Sequence, residues 1–152
     1  QIGGREVASW VSPLCKENGD ALFGLVLSNI NGIAKFLVQV KAEIGCFGSA
    51  ELRPTVQLEH CELSKQSVSA IDSDFLNRLK CQTGILHDVY LSEEGGRFYC
   101  EQNRNAIIEV DHKEIELLPG YFWMDFSSLN RLVPINNPLN IQLRNLLSLL
   151  SI

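Results

Sequence analysis

Short segments of alternating or continuous apolar residues dominate the first two-thirds of the chain. Residues 22–27 form one apolar run and residues 33–42 form another. The pair Asn31-Gly32 lies between them and predicts a hairpin, because both residues tolerate a positive φ. In the second run Phe36 and Val38 share one face. We therefore expect a sheet that places one face on the core.

Further strands are indicated at residues 54–59, 87–91 and 106–110, where apolar residues are β-branched or alternate with polar ones. The helical signals come later. Residues 73–79 predict a short helix with Asp72 or Ser73 as its N-cap. Residues 125–132 and 140–150 carry apolar residues at helical spacing. This order predicts a single α+β domain over residues 1–152, with a mixed or largely antiparallel sheet and a few helices packed on it.

Composition limits the possible classes of protein. The 152 residues are 45% apolar and 20% charged, with a net charge of −5, which does not favour nucleic-acid binding. No apolar run reaches the roughly 18–20 residues of a membrane span. Five cysteines form no C-x-x-C pair, so we expect reduced cysteines, no metal site and a cytoplasmic location. The chain does not begin with Met, and we expect it to be part of a longer protein.

The chemistry-bearing residues concentrate in residues 92–105, a polar segment between two predicted strands. If residues 97–101 are extended, Arg97 and Tyr99 line a surface or pocket, while Phe98 and Cys100 face the core.

Three arginines, Arg97, Arg104 and Arg144, would suit a diphosphate, because guanidinium groups match phosphate oxygens. The alternative is that they pair with nearby glutamates. Glu93 and Glu94 are candidate proton-transfer groups, since a carboxylate in an apolar pocket can act near neutral pH. The alternative for both is a solvated turn.

For four other residues the sequence allows either a role in ligand binding or a purely structural role. Trp10 and Trp123 would stack on a nucleobase, or pack in the core. Thr55 and Gln57 would read a sugar or a base, or form the solvated side of a sheet. Standard motifs for nucleophilic, zinc or phosphate-loop chemistry are absent from the sequence.

Two sequence blocks are specific, namely P-T-V-Q at residues 54–57 and S-E-E-G-G-R-F-Y at residues 92–99. Supporting blocks lie at residues 5–10, 36–43, 103–104 and 139–144, with Trp123 between them. In this order the chain resembles the NDP-hexose 2,3-dehydratases of deoxysugar biosynthesis. The resemblance implies two related repeats per subunit, of which this chain looks like the second.

The resemblance also implies a Nudix-like fold, with a mixed β-sheet packed between a few helices. Residues 93–96 match only the E-E-x-G end of the Nudix catalytic box, so metal-dependent diphosphate hydrolysis is not expected. The implied reaction is β-elimination from dTDP-4-keto-6-deoxyglucose without a metal or redox cofactor. Glu93 or Glu94 would be the base, and Tyr99 would donate to the enolate or the leaving oxygen. The implied substrate-binding residues are Trp10, Thr55, Gln57, Arg97, Arg104, Asn105, Trp123 and Arg144.

The implied partners are a dTDP-sugar and either a second repeat or a second copy in a homodimer. Two other functions remain open. Gene duplication could leave a non-catalytic dTDP-binding or dimerisation module, and the chain could also be a structural domain without a ligand.

Overall fold

A computed structural model describes residues 13–16, 19–42, 50–59, 68–93, 97–135 and 138–150. Within these ranges the chain forms a seven-stranded sheet and three α-helices. The strands are β1 (Leu22–Ile30), β2 (Ile33–Lys41), β3 (Glu51–Arg53), β4 (Val56–Leu58), β5 (Ile85–Ser92), β6 (Gln102–Glu109) and β7 (Tyr121–Asp125). The helices are α1 (Ala70–Lys80), α2 (Phe126–Leu132) and α3 (Ile141–Ser148), and a short 3₁₀ turn covers His112–Glu114.

The sheet is mixed, which confirms the predicted α+β class. Its central order is β3-β2-β1-β6-β5, while β4 pairs with β1 and β7 pairs with β2. The pairing of β1 with β6 is parallel, and the other ladders are antiparallel. Strand β1 is the third of the five strands in this order and therefore lies at its centre.

The predicted hairpin between β1 and β2 is confirmed. Asn31 and Gly32 both have a positive φ, 54° and 80°, as a two-residue type I′ turn requires. The alternating pattern predicts one buried face, which is wrong, whereas the mixed sheet between helices that the resemblance implies is confirmed. Phe36 packs in a core cluster with residues of α2 and α3, whereas Leu37 packs in a second cluster with residues of α1. The sheet is therefore covered by helices on both faces.

Side-chain caps define the start of each helix. Asp125 caps α2 and Asn140 caps α3, at the ends predicted from the sequence. The helix predicted at residues 73–79 is confirmed as α1, but its predicted N-cap is wrong, because Ser69 is the N-cap and Asp72 completes a capping box with it. The helix consequently begins at Ala70, about one turn earlier than the apolar spacing indicates.

Helix α1 lies close against β1 at a glycine. A Cβ atom added to Gly24 would overlap the ring of Phe75, which is fully buried on α1. The missing side chain at this position lets the aromatic ring rest on the strand backbone.

Thr55 lies at a fork between β1 and β2. The ladder of these strands ends at the pair Val26 and Leu37, beyond which β4 pairs with β1 and β3 pairs with β2. The Thr55 hydroxyl accepts a hydrogen bond from Val26 N at 2.9 Å and donates one to the Leu37 carbonyl oxygen. It therefore satisfies the Val26 N–H and the Leu37 carbonyl, which have no strand partner where β1 and β2 separate.

Replacing this hydroxyl should destabilise the fold. In Thr55→Val the shape is kept but buried groups of Val26 and Leu37 lose their partner, so we expect unfolding to become easier by about 2–3 kcal/mol. Thr55→Ser keeps the hydroxyl and should cost about 1 kcal/mol for the lost methyl group. Urea denaturation of both variants provides the comparison. A serine variant as unstable as the valine variant would contradict the fork interaction.

Candidate functional site

The candidate site lies where residues 93–101 connect β5 to β6, at the connected end of the hairpin formed by these strands. These strands flank the polar segment as predicted, and their register pairs Leu91 with Asn103. Glu93 follows the end of β5, and its N–H donates to the carbonyl oxygen of Glu101 at 3.0 Å. The ladder between β5 and β6 thus holds Glu93 beside the first residues of β6.

A hydrogen-bonded chain connects Glu93 to the centre of the sheet. Asn103 Nδ2 donates to Glu93 Oε1 at 2.8 Å, and Ala21 N donates to Asn103 Oδ1 at 2.8 Å. Asn103 is only 3% exposed, while Glu93 is half-buried. A carboxylate with one oxygen held by a buried donor is suited to accept a proton at a defined position.

Asn105 extends the polar surface on the same face of β6. Its Nδ2 donates to the Asn103 carbonyl oxygen at 2.9 Å, and its side chain is buried. Its Oδ1 is also buried and accepts no hydrogen bond from the described residues. A buried acceptor without a donor is uncommon and fits a position that a polar ligand group or water would complete.

The segment from Arg97 to Cys100 does not form the extended strand on which the predicted facing of its side chains depended. Phe98 forms a single bridge with Cys15, through hydrogen bonds of 2.8 Å from Cys15 N to Arg97 O and from Tyr99 N to Cys15 O. Cys100 is exposed and has a φ of 52°, so the prediction that it faces the core is wrong. The left-handed backbone at this residue breaks the alternation on which that prediction rested.

Tyr99 is exposed, as a residue that contacts substrate would need to be. Its side chain is 53% accessible, and the Lys16 ammonium lies 5.8 Å from the ring centroid. The guanidinium carbon of Arg97 lies 5.7 Å from the ring centroid of Phe98. The cation beside the Tyr99 ring is placed for a favourable electrostatic contact with its face.

Arg104 forms an ion pair with a neighbouring strand. Its Nε and Nη2 donate to the two carboxylate oxygens of Asp88 at 2.8 and 2.7 Å. This hydrogen-bonded pairing raises the pKa of the Arg104 guanidinium and lowers the pKa of the Asp88 carboxyl. A groove of about 440 Å³ lies beside the pair and is lined in part by Tyr90 and Leu76.

Arg104 and Arg144, two of the three candidate diphosphate ligands, lie on opposite faces of the sheet. Side chains alternate along β6, so Arg104 shares the face of Ile108, which packs in the cluster of α1. Arg144 is exposed on α3, which packs on the opposite face with Ile107. The structure therefore does not bring Arg104 and Arg144 together on one face of the sheet.

Three further candidates have structural partners. Thr55 is buried and its hydroxyl is used by the backbone at the fork. Gln57 Oε1 accepts from Nδ2 of Asn140, the N-cap of α3, at 2.9 Å. Trp123 is half-buried against the cluster of α1. The structural role that the sequence left open therefore fits each of these three residues. Trp10 and Glu94 lie outside the described residues.

Sequence reasoning missed the role of Asn103 and the partner of Arg104. A signal for Asn103 existed, because Asn103 and Asn105 alternate with Ile107 on one strand and so occupy inward-facing positions. The partner Asp88 could not be recognised without the strand register, which pairs it with Ala106 and so places it diagonally across from Arg104.

The Asp88–Arg104 pair should make stability depend on pH. Because the folded pKa of Asp88 is lowered, its contribution is present above the unfolded value of about 3.9 and is lost as pH falls through the folded value. We expect Asp88→Asn to cost about 1 kcal/mol or less at pH 7 and much less at pH 3. Urea unfolding at both pH values measures this difference. An equal cost at pH 7 and pH 3 would contradict the assignment.

Comparison with known proteins supplies the family. The family model described as NDP-hexose 2,3-dehydratase matches residues 1–150. A protein of Streptomyces violaceoruber named dTDP-4-dehydro-6-deoxy-alpha-D-glucopyranose 2,3-dehydratase is 33% identical over 95% of this chain and 32% of its own length. A Saccharopolyspora spinosa protein of the same name is 36% identical over 95% of this chain and 30% of its own length. The chain therefore spans about a third of these curated relatives.

Solved structures give a weaker likeness. The NUDIX domain of Shewanella oneidensis NrtR, in complex with ADP ribose, is 10% identical, with a TM-score of 0.49 over 91% of this chain and 86% of that one. The fold of this chain is established by its own strand order and helices. The family match covers nearly every residue, including both specific sequence blocks. The chain belongs to the NDP-hexose 2,3-dehydratase family.

Proposed function

We propose that this chain is one repeat of a sugar-nucleotide 2,3-dehydratase, and that Glu93 is its general base. Family membership and the names of the relatives support the reaction class. The observation that carries the proposal is the 2.8 Å hydrogen bond from the buried Asn103 to the carboxylate of Glu93. Glu93 belongs to the S-E-E-G-G-R-F-Y block. The proposed substrate is dTDP-4-dehydro-6-deoxyglucose.

The proposed reaction is a β-elimination of water from the sugar, which needs no external oxidant or reductant. Glu93 takes the proton from C3, which the C4 ketone makes acidic, and the C–H electrons form a C3–C4 double bond with charge on the C4 oxygen. When this enolate collapses, the C4 ketone returns, a C2–C3 double bond forms, and the C2–O bond breaks as the hydroxyl takes a proton from a general acid and leaves as water. The chemistry requires only proton transfer and stabilisation of the enolate oxygen.

Tyr99 is the proposed donor to the enolate or to the leaving oxygen. Its exposure on the segment that follows the glycines supports this role, because the phenol can reach a bound ligand. Asn105 is the proposed second contact, since its buried Oδ1 accepts no hydrogen bond from the described part of the chain. A sugar hydroxyl is a donor of the kind that would complete it.

The remaining parts of the proposal concern the whole protein. The share of the relatives' length that the chain covers supports a single repeat that pairs with a second repeat or a second copy. Among the described residues no helix is long and apolar enough to span a membrane. We further propose a cytoplasmic location, which suits a reaction on a nucleotide sugar.

Glu93→Gln in the full protein tests the base directly. The amide keeps an oxygen that accepts from Asn103, so we expect an intact fold and a kcat reduced by about 10²–10⁴-fold. NMR detection of substrate consumption and of solvent deuterium exchange at C3 measures the effect. Glu116→Gln, at an exposed position beyond β6, is the matched control and should leave both rates unchanged.

Full elimination and exchange in Glu93→Gln would remove the base assignment. If the unmodified protein binds dTDP in calorimetry and catalyses neither reaction, the chain is instead a non-catalytic binding module.

A further inference from the structure

The amide of Asn103 has one permitted orientation. The group on its inner side is the N–H of Ala21, which can only donate, so the facing atom must be the amide oxygen. The nitrogen of the same amide then faces Glu93 Oε1. The orientation is thus determined by the backbone and not by a choice between two similar atoms.

Burial prevents the amide from turning. Asn103 is 3% exposed and lies on β6, between the ladder to β5 and the ladder to β1. The backbone on the other side of the contact is also held, because Glu93 N donates to Glu101 O. Glu93 is therefore bound at its backbone and at Oε1, while Oε2 accepts no hydrogen bond from the described residues and can take part in proton transfer.

We infer that Asn103 is a positioning residue that fixes the orientation of the Glu93 carboxylate through an amide anchored on the Ala21 N–H. The inference rests on the proposed function for its catalytic consequence. Asn103 does not touch the reacting atoms in this scheme. It acts by restricting the carboxylate to the geometry in which its other oxygen meets the C3 proton.

The first test is Asn103→Asp in the full protein. One oxygen of the new carboxylate still accepts from Ala21 N, but the other faces Glu93 with like charge. We expect a loss of about 2–4 °C in the unfolding midpoint, as for a perturbation of the size of one hydrogen bond. We also expect kcat to fall about 10²-fold with KM little changed, because the carboxylate is displaced. The acidic limb of the pH profile should move to higher pH.

The second test exchanges the two groups by combining Asn103→Asp with Glu93→Gln. The amide at position 93 then donates to the carboxylate at position 103, which reverses the original direction of donation, and the Ala21 N–H keeps its acceptor. The exchange should recover most of the midpoint lost by Asn103→Asp alone, as coupled partners do in a double-mutant cycle. It should not recover turnover, because position 93 then lacks a carboxylate.

Asn77→Asp is the matched control, at an exposed position on α1. It introduces the same charge at a solvent-exposed position, where water and salt screen it, and should leave the midpoint and turnover nearly unchanged.

The outcomes separate this inference from the proposed function. Additive midpoints in the cycle, or an exchange variant that fails to fold, would overturn the Asn103–Glu93 contact. If Asn103→Asp does not fold but the exchange does, the contact is supported. If the midpoints are coupled but Glu93→Gln keeps full turnover, the contact stands and the role of Glu93 as base is removed.

Discussion

The parallel ladder between β1 and β6 is the interaction on which the candidate site depends. It joins residues about 80 positions apart, with Leu22 opposite Arg104 and Leu27 opposite Glu109. The ladder is extended by one residue through Arg104 N, which donates to Ala21 O at 2.9 Å, and the N–H of Ala21 then meets the side chain of Asn103. The geometry of the site is consequently set by the central strand of the sheet. Such a site on strands is held more firmly than one on a loop.

The same sheet divides the polar residues of β6 into two sets. Asn103 and Asn105 share the face of α3, while Arg104 shares the face of α1, where Asp88 neutralises it. Consecutive positions of one strand therefore serve two surfaces. The proposed proton-transfer chemistry belongs to the first surface, and the ion pair of the second surface joins the edge strand β5 to β6.

The sequence predicts the local structure well where one residue type decides it. Asn31-Gly32 requires a type I′ turn, and Asp125 and Asn140 offer a side-chain acceptor at the starts of their helices. The extra turn at the start of α1 was not predicted, because its cap depends on the reciprocal hydrogen bonds of Ser69 and Asp72 and not on apolar spacing.

The candidate site could be predicted only in part. The polar segment and Glu93 are recognisable from the sequence, since charge and glycines interrupt two strands. The functions of Thr55 and Gln57 depend on partners at Val26 and Asn140, far away in the sequence. Without the strand register, a hydroxyl buried where two strands separate and a hydroxyl that lines a pocket have the same sequence pattern.

The central claim is that the sugar binds on the α3 face, with the Glu93 carboxylate at its C3 carbon. A crystal structure of the complete protein with a dTDP-sugar analogue measures this most directly. The account predicts a Glu93 carboxylate oxygen roughly 3–3.5 Å from C3, with Asn103 still donating to the other oxygen. A sugar ring bound in the groove beside Arg104 and Tyr90, on the α1 face, would contradict it.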